Sequence, residues 1–284
     1  MSEQTDWQPG PGWLFCPADR PDRYTKALAA ADVVIVDLED AVAPDRKYEA
    51  RDALRGLVRC GTFDPERTVV RINGADSAEH AADVHLIAEL SLPRVMLAKA
   101  ERPDDACALG CAVIALVETA RGIEWVGALA EVPNVIGLMW GADDLVASMG
   151  GTSSRRADGG YRDVARYARS RSLVAAKACG LLALDAVHMD IADTEGLATE
   201  CEDAVAVGFD ATVAIHPSQV AVIRAAYRPS AERLAWAQRL LAHVGADRGV
   251  TTFEGRMVDG PIFTQAERLI RLAALSGANG SMKE

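Results

Sequence analysis

Acidic residues placed where an apolar run stops are the chemistry this sequence offers first. Val113–Glu118 (VIALVE) runs into Glu118-Thr119-Ala120-Arg121-Gly122, and Val135–Gly141 (VIGLMWG) runs into Gly141-Ala142-Asp143-Asp144-Leu145. A run that is apolar throughout is a strand buried on both faces, as in a parallel sheet covered by helices. A carboxylate at its carboxyl end leaves the core at the rim, where α/β folds build their sites. Two carboxylates held on adjacent strands, Glu118 and Asp144, suit a hard divalent cation. Mg²⁺ takes one or two protein carboxylates and completes its octahedron with water and substrate oxygens. The competing reading is that each acid caps the next helix, where a negative charge meets the positive end of the dipole.

The elements that must position these acids follow from the rest of the pattern. Six more strand-like runs are Trp13–Cys16, Val33–Val36, Thr68–Ile72, Arg94–Leu97, Leu182–His188 and Ala211–Ile215. Helical spacing covers about Tyr24–Ala31, Asp45–Arg59, Ser77–Leu90, Gly122–Ala130, Asp163–Cys179 and Thr194–Val207, and later Ser218–Ala226, Ser230–His243 and Gln265–Leu275. Strands alternating with helices imply βαβ units and a parallel sheet, and eight units predict an α/β fold of the closed (β/α)8 TIM barrel type. Residues 1–226 are expected to form the barrel and 227–284 a C-terminal helical extension, longer than barrel closure needs. Residues 150–160, rich in Gly, Ser and Arg, read as a loop.

Polar residues then collect at one end of the strands: Arg20, Glu39, Asp40, Arg71, Asn73, Lys99, Glu118, Asp144, His188 and His216. In a barrel, that end is where site residues sit. The acids outnumber what one ion needs, so Glu39 and Asp40 are expected to hold metal-bound waters. Arg71 is a rigid fork suited to a carboxylate or an enolate oxygen. No GxGxxG follows a strand, no GxxxxGK[ST] is present, and no nucleophile elbow points to a serine acyl transfer.

Composition narrows the function classes. The chain has 284 residues, half of them hydrophobic, and a net charge of −11, which argues against nucleic acid as a partner. No apolar run is long enough to span a bilayer, and MSEQTDWQPGPG has no basic n-region followed by an apolar stretch, so no signal peptide is expected. Six scattered cysteines predict a reducing cytoplasm. Cys107 and Cys111 lack the second Cys/His pair a zinc site needs.

With these motifs in place, the sequence closely resembles the citrate lyase β-subunit-like branch of the HpcH/HpaI aldolase family, which includes malyl-CoA and citramalyl-CoA lyases. The matching stretches are LFCPADRP, VDLEDAV, VVRIN, LVETARG, WGADDL, AIHPSQ and RMVDGP, spread from residue 14 to residue 261. The resemblance implies a TIM barrel, Mg²⁺, and reversible cleavage of a β-hydroxyacyl-CoA thioester to an acyl-CoA and a small α-keto acid, with thioester hydrolysis as an added activity. It assigns Glu118 and Asp144 to the metal, Arg71 to substrate binding and catalysis, and Gly141, Ala142, Asp144 and Leu145, with Glu118, to the substrate. Asp259 matches an acid that reaches a neighbouring subunit's site from the C-terminal extension, in a homo-oligomer that is commonly a trimer. Read by itself, without the resemblance, Asp259 is a turn aspartate before Gly-Pro. Lys47, Arg155 and Arg156 are candidates for the CoA phosphates, or for a solvated face. Ala98 before Lys99 departs from the family's proline and weakens a catalytic role for Lys99. Three alternatives stay open: the β subunit of a citrate lyase complex acting on an acyl-carrier-protein thioester, an inactive barrel serving as an assembly subunit, and a simple keto-acid aldolase without CoA, against which only the resemblance of the RMVDGP segment speaks.

Overall fold

Eight parallel strands close on themselves in chain order. They are β1 (Gly12–Pro17), β2 (Val33–Asp37), β3 (Thr68–Ile72), β4 (Arg94–Leu97), β5 (Ala112–Val117), β6 (Val135–Trp140), β7 (Leu182–Asp185) and β8 (Ala211–Ala214). The last strand pairs back to the first, Gly12 opposite Thr212 and Leu14 opposite Ala214. This computed structural model describes residues 7–245 and 249–278, and its fold is the (β/α)8 TIM barrel expected from the alternation.

The apolar runs are continuous because both faces are buried. Trp13, Val33, Ile35, Val69, Ile114, Leu116, Met139, Leu184 and Val213 fill the barrel interior. Their neighbours Val34, Val36, Val70, Leu97, Val113, Ala115 and Val117 pack outward against the helices. Side chains alternate faces with period two. One step further along the inward rows of Ile35, Val69 and Leu116 come Asp37, Arg71 and Glu118. The topmost inward layer of the barrel is therefore charged.

The register between β5 and β6 decides what stands beside Glu118. Val113 pairs with Val135 but Ile114 pairs with Gly137, so Ile136 is an extra residue, a β-bulge. After it Val117 lies opposite Trp140. Glu118 thus emerges next to Gly141 and not next to the indole.

Nine helices lie on the barrel's outside: α1 (Pro21–Ala30), α2 (Lys47–Arg59), α3 (His80–Leu90), α4 (Pro103–Cys107), α5 (Ala120–Ala130), α6 (Ala142–Ser148), α7 (Asp163–Ala178), α8 (Thr194–Val207) and α9 (Pro217–Tyr227), counted among the described residues. The sequence pattern missed α4 and α6, which are too short to display a helical period. Missing α6 matters, because it moves Asp144 from a strand end to the first turn of a helix.

Beyond α9 come α10 (Ala231–Val244), a hairpin of β9 (Thr251–Phe253) and β10 (Arg256–Val258), and α11 (Gly260–Ala278). The hairpin turns at Glu254 and Gly255, both with positive φ (47° and 76°), as two-residue hairpins require. Ala237, Leu240, Val258, Phe263, Ala266 and Leu269 form a core of their own. Arg268 of α11 fastens this unit to the barrel by donating from Nη2 to the Phe209 carbonyl at 2.6 Å. The Asp259-Gly260-Pro261 stretch is not a free turn: the Asp259 carbonyl accepts from Phe263 N–H at 3.1 Å and opens α11. Among the described residues no helix is long and apolar enough to cross a membrane.

Candidate metal centre

The site begins with a buried ion pair that the inward alternation builds. Arg71 donates from Nε to Asp37 Oδ1 at 2.7 Å and from Nη2 to Asp37 Oδ2 at 2.5 Å. Its Nη1 lies 3.2 Å from Glu39 Oε2, and its guanidinium carbon sits 4.6 Å from the Phe15 ring centre. Asp37 has no solvent exposure and also accepts from the N–H groups of Glu39 and Ala41 at 2.8 and 3.1 Å. Burial opposes a charge on Arg71, but Asp37 and Glu39 beside it hold the guanidinium protonated beyond its usual range. Two of the five donors of Arg71 are hydrogen-bonded to Asp37, Nη1 meets Glu39 as an ion pair, and the guanidinium also lines the cavity.

Glu118 follows on the next inward row. It is 3 % exposed, and its Oε1 accepts the backbone N–H of Lys99 at 3.0 Å. Burial pushes its carboxyl up to about 8. Arg71 works against that shift, while Asp144 and Glu39 add to it. Gly141 is needed here for space. A Cβ at that position would lie 2.8 Å from Glu118 Oε2 and 2.9 Å from Glu118 Cβ. Asp144, on the first turn of α6, has its side chain 44 % exposed and 3.9 Å from the Lys99 ammonium.

Lys99 draws the remaining acids in. Its ammonium binds Glu39 Oε1 and Asp40 Oδ2, the latter at 3.0 Å. Burial raises the Glu39 carboxyl, with Arg71 and Lys99 opposing. At Asp40 burial pushes the carboxyl up, but the bond to Lys99, its charge, Glu39 and Arg71 together hold the carboxyl below its usual value. Five carboxylates, Asp37, Glu39, Asp40, Glu118 and Asp144, thus surround two cations, Arg71 and Lys99.

Glu118, Asp144, Arg71, Gly141 and Ala142 line a cavity of about 150 Å³ floored by Leu116, Met139 and Trp140. Leu145 does not reach it: the whole residue is 2 % exposed, packed within the core, and it is not among the lining residues. A larger cavity, about 1020 Å³, lies at the opposite mouth among Trp7, Ala112, Val135, Leu182 and Arg268. It holds none of the rim acids.

The donor set at the small cavity fits a hard divalent cation. It consists of oxygens only, carries a surplus of negative charge, and opens to water through Asp144. Among the described residues no three His, Cys, Asp or Glu side chains converge as a cage, and Mg²⁺ needs none when water and substrate complete its shell.

Several residues expected at the site have other duties. Lys47 is buried, and its ammonium is spent on the carbonyls of Leu38 (2.8 Å) and Glu39 (2.7 Å) and on Asn73 Oδ1 (3.1 Å); it is not free to meet a phosphate. Asn73 N–H and Nδ2 both donate to Asp83. Arg20 pairs with Asp22. His216 caps α9, and His188 is buried against Glu200 at 3.0 Å. Arg155 binds Glu200 and lies 4.0 Å over the Tyr161 ring, and Arg156 pairs with Asp163. Through Arg155, and through Ser154 donating to Asp143 at 2.6 Å, the 150–160 loop is pinned to the rim. Asp259 is not among the residues lining the cavity within its own chain.

Arg71→Lys is expected to lower turnover at least about tenfold, because a single ammonium cannot serve Asp37 in fork geometry and still face the cavity. It also leaves part of a fully buried carboxylate unpaired, at a cost of about 1–3 kcal/mol, so the melting temperature should fall by several degrees. Steady-state kinetics and thermal unfolding on one preparation check both. Wild-type values in the two would remove Arg71 from the site.

Comparison with known proteins gives the family. The family model for HpcH/HpaI aldolase/citrate lyase matches residues 12–112 and 109–217. A crystal structure of CitE from Mycobacterium tuberculosis, in complex with magnesium, acetoacetate and coenzyme A, is 57 % identical with a TM-score of 0.87, covering 94 % of this chain and 98 % of that one. A mitochondrial citramalyl-CoA lyase from Rattus norvegicus is 32 % identical over 92 % of this chain and 85 % of its own. A (3S)-malyl-CoA thioesterase from Cereibacter sphaeroides is 32 % identical over 94 % and 96 %. The chain therefore belongs to the HpcH/HpaI aldolase/citrate lyase family.

Proposed function

We propose that this protein is a Mg²⁺-dependent carbon–carbon lyase, reversible as a synthase, that acts on β-hydroxyacyl-CoA thioesters and yields an acyl-CoA and a small keto acid. The observation that carries the reading is the pairing of a buried, proton-retaining Glu118 with the open Asp144 beside Arg71 at the carboxyl rim of a closed barrel. The magnesium and coenzyme A named with the M. tuberculosis CitE structure support it, as do the activities named for the relatives. They favour CoA over an acyl-carrier-protein thioester, and the assembled acids weigh against an inactive barrel.

Glu118 and Asp144 would hold the ion, which as a Lewis acid polarises the keto oxygen it chelates. The N–H groups of Arg71 not spent on Asp37 would receive the negative oxygen of the thioester enolate left when the carbon–carbon bond breaks. As the β-hydroxyl becomes the keto carbonyl its proton would pass to solvent, and Asp259 of a neighbouring subunit would give the enolate carbon a proton, so that cleavage is proton-neutral; in the synthetic direction both transfers reverse. Glu39 and Asp40 would hold metal-bound waters. Main-chain groups of Gly141 and Ala142 would orient the keto-acid carboxylate. The extension, residues 227–284, is the piece that reaches across in a homotrimer, and the cytoplasm is the compartment the reading implies. The deciding assay is a screen of acetyl- and propionyl-CoA against glyoxylate, pyruvate, oxaloacetate and acetoacetate with Mg²⁺ and with chelator. No condensation with any pair would reject the reading.

Metal binding is expected to release a proton. The Glu118 carboxyl lies near 8 because burial, and then its acidic neighbours, disfavour the charge. Below that pH the proton competes with the ion. Mg²⁺ affinity should therefore rise with pH, by at most about tenfold per unit, and level off above about 8. Calorimetric titrations at pH 7 in buffers of different ionisation heat measure the proton directly. Identical heats, with an affinity flat from acid to alkaline pH, would contradict the assignment of Glu118.

A further inference from the structure

Lys99 holds a position that its sequence context does not announce. Its φ is +49°, in the left-handed region, which costs a non-glycine residue free energy and persists only where surroundings enforce it. The turn is anchored on both sides, by Ala98 N–H to the Ile72 carbonyl at 3.2 Å and by Ala100 N–H to the Leu116 carbonyl at 2.9 Å. Gly74 makes room for it: a Cβ there would stand 3.0 Å from the Ala98 carbonyl and 3.3 Å from Lys99 Cβ. One residue thereby does two things. Its N–H fixes Glu118 Oε1 at 3.0 Å. Its ammonium reaches back across the rim to Glu39 and Asp40, 3.9 Å from Asp144.

We propose that Lys99 is a positioning residue that acts as a tethered counter-cation, competing with the divalent ion for the rim acids and so setting its affinity. The proposal rests on the metal reading given above. The ammonium and the ion draw on one set of carboxylates. A fixed positive charge about 4 Å from Asp144 repels a second cation placed there. The Lys99 ammonium is partly exposed, so solvent and salt weaken that repulsion without removing it. The same charge keeps Glu39 and Asp40 in place when no divalent ion is bound.

Lys99→Met removes the charge and keeps the stem; Lys99→Arg keeps the charge. The probe is Mg²⁺ alone, without substrate, titrated calorimetrically into each protein. Lys99→Met is expected to bind Mg²⁺ about five- to thirtyfold more tightly than wild type at low salt, with the gain shrinking at high salt. Lys99→Arg should stay near wild type. Thermal unfolding gives a second readout that survives partial destabilisation. Lys99→Met should melt lower than wild type without metal, and saturating Mg²⁺ should raise its melting temperature by more than it raises that of wild type. Equal or weaker Mg²⁺ binding by Lys99→Met, or an equal or smaller Mg²⁺-induced rise, would overturn the proposal. A wild type that binds no Mg²⁺ at all would instead overturn the metal reading beneath it.

Discussion

Glu118→Gln is expected to abolish Mg²⁺-dependent turnover while leaving the protein at least as stable as wild type in metal-free buffer at alkaline pH. The two halves have one cause. Glu118 is almost fully buried, and burial pushes its carboxyl up to about 8, against the usual 4.5. A carboxyl whose folded value is raised binds its proton more tightly in the folded state. Its contribution to stability is complete below the unfolded value and is lost as pH rises through about 8. Glutamine is neutral at every pH and can still accept the Lys99 N–H, so it avoids that loss. The melting-temperature difference between variant and wild type should grow from pH 6 to about pH 8 and level off above it. Catalysis moves the other way. If Glu118 is one of two carboxylates that hold the ion, its loss forfeits several kcal/mol of charge stabilisation, which corresponds to a loss of at least about 10³-fold. Asp144→Asn should match it in activity but leave stability unchanged, since that side chain is 44 % exposed. Activity within tenfold of wild type in either variant, or in excess chelator, would move the metal elsewhere.

The parts of this site legible in the sequence are those where one signal sufficed. Glu118 ends an apolar run, and so it ends a buried strand; the eight runs gave the barrel by the same logic. Asp144 was found by the same cue, but its element was not, because α6 is seven residues long and shows no period. Asp37 was passed over for Glu39 and Asp40, which follow it in one acidic cluster. Extending the alternation of Val33 and Ile35 by one step selects Asp37, and it is Asp37 that takes the fork of Arg71. Lys99 was discounted on the residue before it, whereas its place depends on a left-handed backbone and on the space at Gly74, neither of which a pattern of apolar and polar letters encodes. Lys47 illustrates the reverse failure. A lysine in a charged helix reads as solvated, yet this one is buried holding three oxygens of the β2 and β3 loops. Helix spacing alone does not show that its stem points under the rim.

Mixing an inactive Asp259→Ala protein with an inactive Asp144→Ala protein is expected to restore activity. Asp259 sits outside the barrel, at the start of α11, in a unit with its own core. It does not line the cavity that Glu118 and Asp144 share in the same chain. If it supplies the proton for the thioester enolate, the site it serves belongs to another copy. A head-to-tail contact of this kind closes into a ring. Each site then draws Asp144 from one chain and Asp259 from the next. In a random equal mixture, half the sites carry an intact Asp144 and half of those meet an intact Asp259. Recovery should approach about a quarter of wild-type activity once subunits have exchanged. Each variant alone should stay inactive, and Asp259→Ala should still bind Mg²⁺ as wild type does, since it leaves the metal carboxylates untouched. Native mass spectrometry of a mass-labelled partner verifies exchange. Full exchange without recovery would mean that Asp259 acts within its own chain or takes no part in proton transfer, and the extension would then be an assembly element alone.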